Sequence, residues 1–183
     1  YGLTETSPLV SVNDYKQTVF TGSVGLPAAY TEIEIRDESG NVLSETNAIG
    51  ELCVRGPQVM KGYWKSEVSG LDENNWFMTG DIARIDETGN IFIVDRKKDM
   101  IIVSGFNVFP NEVEAVVNEH PSVLECGCVG IEGEDSQELV KVFIVLHDGQ
   151  SASEDEIIDF CREKLTAYKV PKHIEFINEI PKT

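Results

Sequence analysis

The sequence predicts an α+β protein in two successive parts, and three observations support this prediction. In the first half, short runs of alternating polarity are separated by Gly- and Asp-rich turns, which is typical of a strand-rich, barrel-like segment. In the second half, strand-like runs alternate with amphipathic helical segments, which favours a small α/β domain. A highly charged stretch at residues 95–99 separates the two patterns. We therefore expect two domains, residues 1–97 and 98–183.

The first part contains two hairpin signals with nearly identical turns. Residues 31–35 alternate in polarity and lead into an Asp/Gly/Asn-rich turn at 37–41. The same turn chemistry returns at 86–90, between a strand-like run at 81–85 and an apolar run at 91–94. Glycine takes the left-handed position that such turns require. The first part is therefore predicted to be a small antiparallel sheet or a barrel.

The second part contains two helices with recognisable start signals. Asn111, followed by Glu114 three residues later, predicts the first helix, which Pro121 stops. Ser153 and Glu156 form a capping box that opens the second helix. The strand candidates cover residues 100–103, 124–131, 140–147 and 174–177. This βαββαβ-like order predicts a domain of about 85 residues, a size that can fold alone.

Composition and charge restrict the possible partners. Apolar residues make up 41% of the 183 residues, as in globular proteins. The net charge of −17 repels phosphate backbones and anionic lipids, which argues against nucleic acid as a partner. Two basic islands remain, one at residues 96–98 and a looser one at Lys164, Lys169 and Lys172. They are either solvated surface charges or a site for a small anion such as a nucleotide.

Targeting and cysteine signals indicate a cytoplasmic protein. The chain shows no signal peptide and no apolar run of transmembrane length, and it begins with Tyr1, which favours a fragment of a longer protein. Peripheral contact with the inner face of the cell membrane and oligomer formation remain open. The four cysteines form no CxxC pair and, with the three histidines, no zinc spacing. We expect buried, reduced thiols.

Three segments carry residues suited to nucleotide chemistry. Tyr1, Thr4 and Glu5 offer a ring that can stack on a base, a hydroxyl that can donate to phosphate and a carboxylate that can hold Mg²⁺. Asp81 follows a glycine turn and can accept both hydroxyls of a ribose. Arg96 can reach ribose or phosphates as a fixed fork of donors. Taken singly, each of these could equally be an ordinary loop, turn or linker residue.

Four motifs in their order along the chain resemble the adenylate-forming superfamily, which includes acyl-CoA synthetases, firefly luciferase and the adenylation domains of peptide synthetases. The motifs lie at residues 1–6, 50–64, 76–81 and 95–112, and the segments 165–172 and 180–183 fit the same group. The stretch DRKKDMI, followed by VSGFNVFPNE, is similar to the bacterial long-chain fatty acid–CoA ligases. The resemblance covers essentially the whole chain.

The resemblance implies a role for each nucleotide-site candidate. Tyr1 would stack near the adenine, Thr4 would contact phosphate, and Glu5 would be the Mg²⁺ ligand. Asp81 and Arg96 would hold the ribose hydroxyls of ATP or AMP. Residues 1–97 would be the end of the adenylation domain, and residues 98–183 would be its lid domain.

The resemblance also implies roles in the second part. Lys98 would be the hinge between the domains. Ser104, Gly105 and Phe106 would line the path of the CoA pantetheine, and Lys169 is a weaker candidate for the CoA phosphates. The family activates a carboxylic acid with ATP as an acyl-adenylate and transfers the acyl group to CoA, so ATP, Mg²⁺, CoA and a long-chain fatty acid are the implied substrates and cofactors.

Three functional hypotheses follow from the resemblance. The first is a long-chain fatty acid–CoA ligase, and the second is a ligase for an aryl, short-chain or amino acid. The third is a binding module that keeps the fold without catalysis. The family's phosphate-binding loop would precede Tyr1 and its catalytic lysine would follow Thr183, so we expect the 183-residue chain alone to make no acyl-adenylate.

Overall fold

A computed structural model describes residues 1–16, 18–66, 69–133 and 137–181. The chain divides into two units, Tyr1–Lys97 and Lys98–Thr183, and each unit has a hydrophobic core of its own. The last two residues of the 180–183 motif, Lys182 and Thr183, lie outside the described residues.

The first unit is built on an open antiparallel sheet. Its strands are β1 (Ser11–Val12), β2 (Leu26–Pro27), β3 (Glu32–Arg36), β4 (Gly50–Arg55), β5 (Phe77–Ile85) and β6 (Ile91–Arg96). Strands β3 to β6 form a four-stranded sheet in chain order, and β1 pairs with β2 separately. Leu52, Val54, Ala83 and Ile91 fill the core and are fully buried. Of the two predicted alternatives, sheet or barrel, the described residues form the open sheet.

The two predicted hairpins differ in the structure. The second is confirmed, because β5 and β6 pair directly across the turn at residues 86–90. The first is reduced to a single bridge between Arg36 and Val42, and β3 pairs instead with β4. The turn itself forms, since Asp37 accepts hydrogen bonds from the backbone of Ser39 and Asn41. Residues 44–47 are all polar, whereas β4 carries a continuous apolar run at residues 52–54, which favours β4 as the strand that pairs with β3.

The second unit combines a three-stranded sheet, a hairpin and two helices. Its elements are β7 (Ile101–Val103), β8 (Phe106–Val108), α1 (Pro110–Val117), β9 (Val123–Glu132), β10 (Glu138–Leu146), α2 (Glu154–Arg162) and β11 (His173–Phe176). Strand β10 lies centrally, antiparallel to β9 and parallel to β11. The apolar faces of α1 and α2 contribute Val113, Val117, Ile157 and Cys161 to the core. The α+β prediction is confirmed.

The start of α1 differs from the prediction. The residue that caps the helix is Phe109, and Pro110 occupies the first helical position, so the predicted cap at Asn111 is wrong. Proline suits this position because its fixed φ is helical. A backbone N–H at the first helical position has no acceptor within the helix, so the lack of an N–H in proline costs no hydrogen bond there. The Glu114 carboxylate accepts a hydrogen bond from the Cys128 backbone N–H at 2.7 Å, which ties α1 to β9.

The predicted capping box of α2 is confirmed. The Ser153 hydroxyl accepts from the Glu156 backbone N–H at 3.2 Å, and the Glu156 carboxylate accepts from the Ser153 backbone N–H at 2.7 Å. The hydrogen bonds that the Glu156 carboxylate accepts from the Ser153 backbone N–H and then from its hydroxyl hold the pKa of Glu156 below its usual value. The charged carboxylate therefore stabilises the start of the helix.

The cysteines are free thiols in apolar surroundings. Cys53, Cys128 and Cys161 are buried and Cys126 is half-buried. Burial raises the pKa of Cys53 and of Cys126 to about 12 and that of Cys161 to about 11. These three thiols therefore stay protonated at neutral pH. In the described part of the chain, no helix has the length and apolar character needed to cross a membrane.

Replacement of Ile157 by alanine should destabilise the second unit. Ile157 is fully buried, and loss of such a side chain typically costs about 2–5 kcal/mol. Both described α-helices lie in this unit, so circular dichroism at the helical band monitors it, while the buried Trp76 monitors the first unit by fluorescence. We expect the helical transition in urea to shift. The half-exposed Ile102 provides the matched Ile→Ala control, and an equal effect of both substitutions would contradict the assignment of the core.

The capping box of α2 should contribute a pH-dependent part of stability. The folded-state pKa of Glu156 is lowered, so its contribution is present above the usual pKa of 4.5 and is lost as pH falls through the folded-state value. Glu156→Gln keeps a hydrogen-bond acceptor but removes the charge. The wild type should be more resistant to urea than the variant at pH 7, and the difference should shrink on acidification. A difference that stays constant between neutral and acidic pH would show that the charge contributes nothing.

Candidate functional site

A cavity of ≈ 530 Å³ opens on the first unit between the N-terminal segment and strands β4 and β5. We call it the first-unit cavity, and it is lined by Gly2, Leu3, Thr4, Glu5, Glu51, Tyr63, Phe77, Met78, Thr79, Gly80 and Arg96. Most of its surface is polar, and both carboxylate and guanidinium groups face it. This combination is suited to a charged, hydrogen-bonding ligand.

A buried carboxylate lies beside this cavity. Asp81 is 3% exposed, and its Oδ1 forms an ion pair with Arg96 Nε at 2.9 Å. The pairing register of β5 and β6 places these two residues directly opposite each other. The Tyr1 hydroxyl donates a hydrogen bond to Asp81 Oδ2. Burial, and then the contact with Asp81, raise the pKa of the Tyr1 phenol, so it remains a proton donor at neutral pH.

The glycine turn expected before Asp81 is a bulged part of strand β5, and two side chains hold it. The Thr79 hydroxyl donates to the Leu52 carbonyl at 2.8 Å and accepts from the Asp81 backbone N–H at 3.1 Å. Glu51 Oε1 accepts from the Gly80 N–H at 3.1 Å. The register of β4 and β5 shifts between Glu51 and Cys53, and Gly80 has a φ of 73°. Such a bulge redirects a side chain locally, and here it is followed at once by Asp81.

The N-terminal segment contributes Thr4 and Glu5. Both lie in a single 3₁₀ turn, Thr4–Thr6, whose last residue is fully buried and hydrogen-bonded to the adjoining backbone. Glu5 Oε1 accepts from the Tyr63 hydroxyl at 2.9 Å, and this bond raises the pKa of Tyr63. Within the described ranges, no group of three or more His, Cys, Asp or Glu side chains could hold a metal ion.

The remaining predicted residues lie around the boundary and in the second unit. Lys98 is exposed and is the first residue of the second unit. Ser104 and Gly105 form the tight turn between β7 and β8, with φ values of 51° and 83°. With Ile102, Gln137 and Glu138 they line a shallow second cavity of ≈ 470 Å³.

Phe106 and Lys169 are engaged in contacts within the second unit. The half-exposed Phe106 ring stacks on Tyr168 with the ring centroids 4.8 Å apart. The Lys169 ammonium group contacts both carboxylate oxygens of Glu112 at 2.7 Å. Lys169 is thus already paired, which reduces its availability for an anion.

The structure groups the predicted nucleotide-site residues and adds one more. Tyr1, Asp81 and Arg96 are in mutual contact through Asp81, and Thr4 and Glu5 line the cavity that Arg96 also lines. The residue that sequence reasoning missed is Glu51, which lies in the motif at residues 50–64 and was given no role in the site. A charged residue among the apolar residues of a buried strand is the signal that could have revealed it.

Comparison with known proteins places these observations in a family. The model of the AMP-binding enzyme family matches residues 1–64, and the model of the AMP-binding enzyme C-terminal domain matches residues 112–183. The chain is 52% identical to the long-chain-fatty-acid–CoA ligase of Escherichia coli O157:H7 and 41% identical to that of Bacillus subtilis, in both cases over the whole chain. It spans 33% of the length of each of these relatives.

Solved structures agree with this comparison. The chain superposes over its whole length on ATP-bound MatB from Rhodopseudomonas palustris, with a TM-score of 0.94 and 33% identity, and covers 37% of that chain. O-succinylbenzoate coenzyme A synthetase from Bacillus subtilis, in complex with AMP, matches with a TM-score of 0.84 and 34% identity, again with 37% of its chain covered. Two consecutive family models, whole-length identity and whole-length superposition lead to one conclusion: the chain belongs to the AMP-binding, or adenylate-forming, enzyme family.

Proposed function

We propose that the protein that contains this chain is a long-chain fatty acid–CoA ligase. Such an enzyme converts a fatty acid, ATP and CoA into acyl-CoA, AMP and pyrophosphate through an acyl-adenylate. The proposal is carried by the buried Asp81 carboxylate, paired with Arg96 and Tyr1 beside a polar cavity. The identity of 52% to a long-chain-fatty-acid–CoA ligase supports the choice of acid, and the chain spans about a third of that relative.

Asp81 and Arg96 are proposed to bind the ribose of the nucleotide. Each oxygen of a carboxylate accepts more than one hydrogen bond, so Asp81 can keep Tyr1 and Arg96 as partners and still accept two ribose hydroxyls. Tyr1 restrains the carboxylate through its hydroxyl, and its ring is proposed to lie near the adenine. A rigid, preformed acceptor reduces the entropy lost on binding.

Thr4 and Glu5 are proposed to act at the phosphates. Thr4 supplies a hydroxyl donor to a phosphate oxygen. Glu5 fits a magnesium ion carried by the nucleotide, because Mg²⁺ is commonly held by one or two carboxylates together with substrate phosphates and water. When bound there, the ion neutralises negative charge on the phosphates.

The proposed reaction has two chemical steps. An oxygen of the fatty acid carboxylate attacks the α-phosphorus of ATP, and the bond to pyrophosphate breaks. The CoA sulfur next attacks the acyl carbon, the thiol proton is lost, and AMP leaves with the electron pair of the broken C–O bond. Arg96 and Asp81 keep the AMP portion in place through both steps. We further propose that residues 98–183 act as a lid that pivots at Lys98.

The second unit is proposed to contact CoA. The turn at Ser104 and Gly105 and the half-exposed ring of Phe106 offer backbone groups and an apolar surface to the pantetheine. Lys169 remains a weaker candidate for the CoA phosphates because it is paired with Glu112. Peripheral membrane association fits a ligase for long-chain acids, and the net charge of −17 would leave that contact to apolar residues.

A ligase for another acid is the alternative that a specific observation favours. The solved structures similar to this chain include an anthranilate CoA ligase and O-succinylbenzoate coenzyme A synthetase, both at 34% identity. Their acids are aromatic. The higher identity to the long-chain enzymes supports the fatty acid, and a series of acids of increasing chain length together with aryl acids separates the two proposals.

Asp81→Asn should impair nucleotide use in the full-length protein. The amide keeps the shape but loses the charge that Arg96 and Tyr1 complement, and a hydrogen bond to a charged group typically contributes about 1.5–3 kcal/mol. We expect the KM for ATP to rise about 10- to 100-fold in an assay of acyl-CoA and AMP formation. Asp86→Asn, in the turn of the same hairpin, is the matched control. Absence of acyl-CoA from every acid tested with the wild type would contradict the proposed function.

Glu5→Gln should change the magnesium requirement. The amide still accepts a hydrogen bond from Tyr63 but is a poor Mg²⁺ ligand. At a fixed ATP concentration, half-maximal activity should require about 10-fold more Mg²⁺, which corresponds to about 1.4 kcal/mol. Glu87→Gln, at an exposed turn position, is the control for the same chemical change. An unchanged magnesium titration in the Glu5 variant would remove this residue from the metal site.

A further inference from the structure

Glu51 places a second carboxylate in the wall of the first-unit cavity. It precedes three fully buried residues of β4, Leu52, Cys53 and Val54, and its own side chain is 11% exposed. A buried carboxylate is unfavourable unless it is paired and hydrogen-bonded. Both oxygens of Glu51 have partners: Oε1 accepts from the Gly80 N–H at 3.1 Å, and Oε2 lies 2.7 Å from Lys97 Nζ.

The bond to Gly80 holds the bulged part of β5 that precedes Asp81. Gly80 lies within β5 with a positive φ, and a Cβ added there would meet nothing within 4 Å. In addition to the pairing of β5 with its neighbours, Glu51 holds the Gly80 N–H and Thr79 holds the Asp81 N–H. Glu51 is therefore placed to set the position of the Asp81 backbone.

The ion pair with Lys97 removes a negative charge from the cavity wall. Arg96 compensates Asp81, so Glu51 would leave an uncompensated charge facing an anionic ligand if Lys97 were absent. Electrostatic interactions are stronger at a partly desolvated wall than in bulk water. Lys97 is also the last residue of the first unit, so the pair anchors the chain directly before Lys98.

We propose that Glu51 and Lys97 form a charge-balanced positioning pair for nucleotide binding. Glu51 holds the bulge at Gly80 through its hydrogen bond, and Lys97 neutralises Glu51 so that phosphate-bearing ligands are not repelled. Neither residue needs to touch the nucleotide. The inference rests on the proposed function, because it assigns these residues to the same site.

The pair predicts a specific pattern in binding of AMP and of ATP to the full-length protein, measured by calorimetry. Lys97→Met leaves the Glu51 charge unpaired and should raise both dissociation constants about 10-fold. Lys97→Arg should retain wild-type affinity. Glu51→Gln keeps an acceptor for the Gly80 N–H and should bind within about 3-fold of wild type. Glu51→Ala removes that acceptor and should weaken binding about 10-fold.

The double variant Glu51→Gln/Lys97→Met gives the decisive result. It lacks the ion pair but carries no unpaired charge, so affinity should return to within about 3-fold of wild type. If the pair were only structural, the double variant would bind as weakly as Lys97→Met, and the proposal would be rejected. Lys141→Met, which breaks the comparable Lys141–Glu175 pair in the second unit, is the matched control for affinity.

The outcomes separate this inference from the proposed function. A wild-type protein that binds neither AMP nor ATP would reject the proposed function itself. A wild-type protein that binds both, together with a Lys97→Met variant of unchanged affinity, would reject only the positioning pair. Thermal unfolding of each variant identifies any that fail to fold, and the double variant keeps the proposal testable in that case.

Discussion

The buried carboxylate of Asp81 is the group around which the first unit is arranged. A charge that is 3% exposed requires compensation, and Arg96 and Tyr1 provide it from two other segments of the chain. The Thr79 hydroxyl holds the Asp81 backbone by accepting from its N–H. Strand pairing places Arg96 opposite Asp81, and the N-terminal segment places the Tyr1 hydroxyl within hydrogen-bonding distance of the Asp81 carboxylate. The fold of the first unit thereby brings residues that are up to 95 positions apart in the sequence into one polar cluster.

Much of the architecture could be predicted from local pattern. The turn at residues 86–90, the strands β9 and β10 and the capping box of α2 each depend on neighbouring residues, so the sequence contains enough information for them. The pairing of β3 with β4 depends on competition between distant segments. The cap of α1 was misassigned because Pro110 favours the first helical position more strongly than Asn111 favours capping.

The sequence allowed the residues of the candidate site to be predicted from their types, but it did not predict which of them contact each other. Tyr1, Asp81 and Arg96 were singled out from three motifs, yet nothing local indicates that the Tyr1 hydroxyl contacts Asp81. Two register shifts, one on each side of β5, set that geometry, and such bulges leave little trace in a single sequence. For Lys169 the sequence suggested a basic residue available to bind an anion. In the structure its ammonium group is paired with the Glu112 carboxylate, and a single sequence does not reveal that contact.

Pairing of charges would allow so acidic a chain to present the proposed anion site. With a net charge of −17, the long-range field disfavours phosphate, and screening at physiological salt confines that field to about 8 Å. Affinity then depends on the charges within that distance of the ligand. Around the first-unit cavity, Arg96 balances Asp81 and Lys97 balances Glu51, which leaves Glu5 as the carboxylate of the cavity wall without an ion-pair partner among the described side chains. A cation brought by the nucleotide would complete the balance, so the local charge pattern favours a metal-bound phosphate over a bare one.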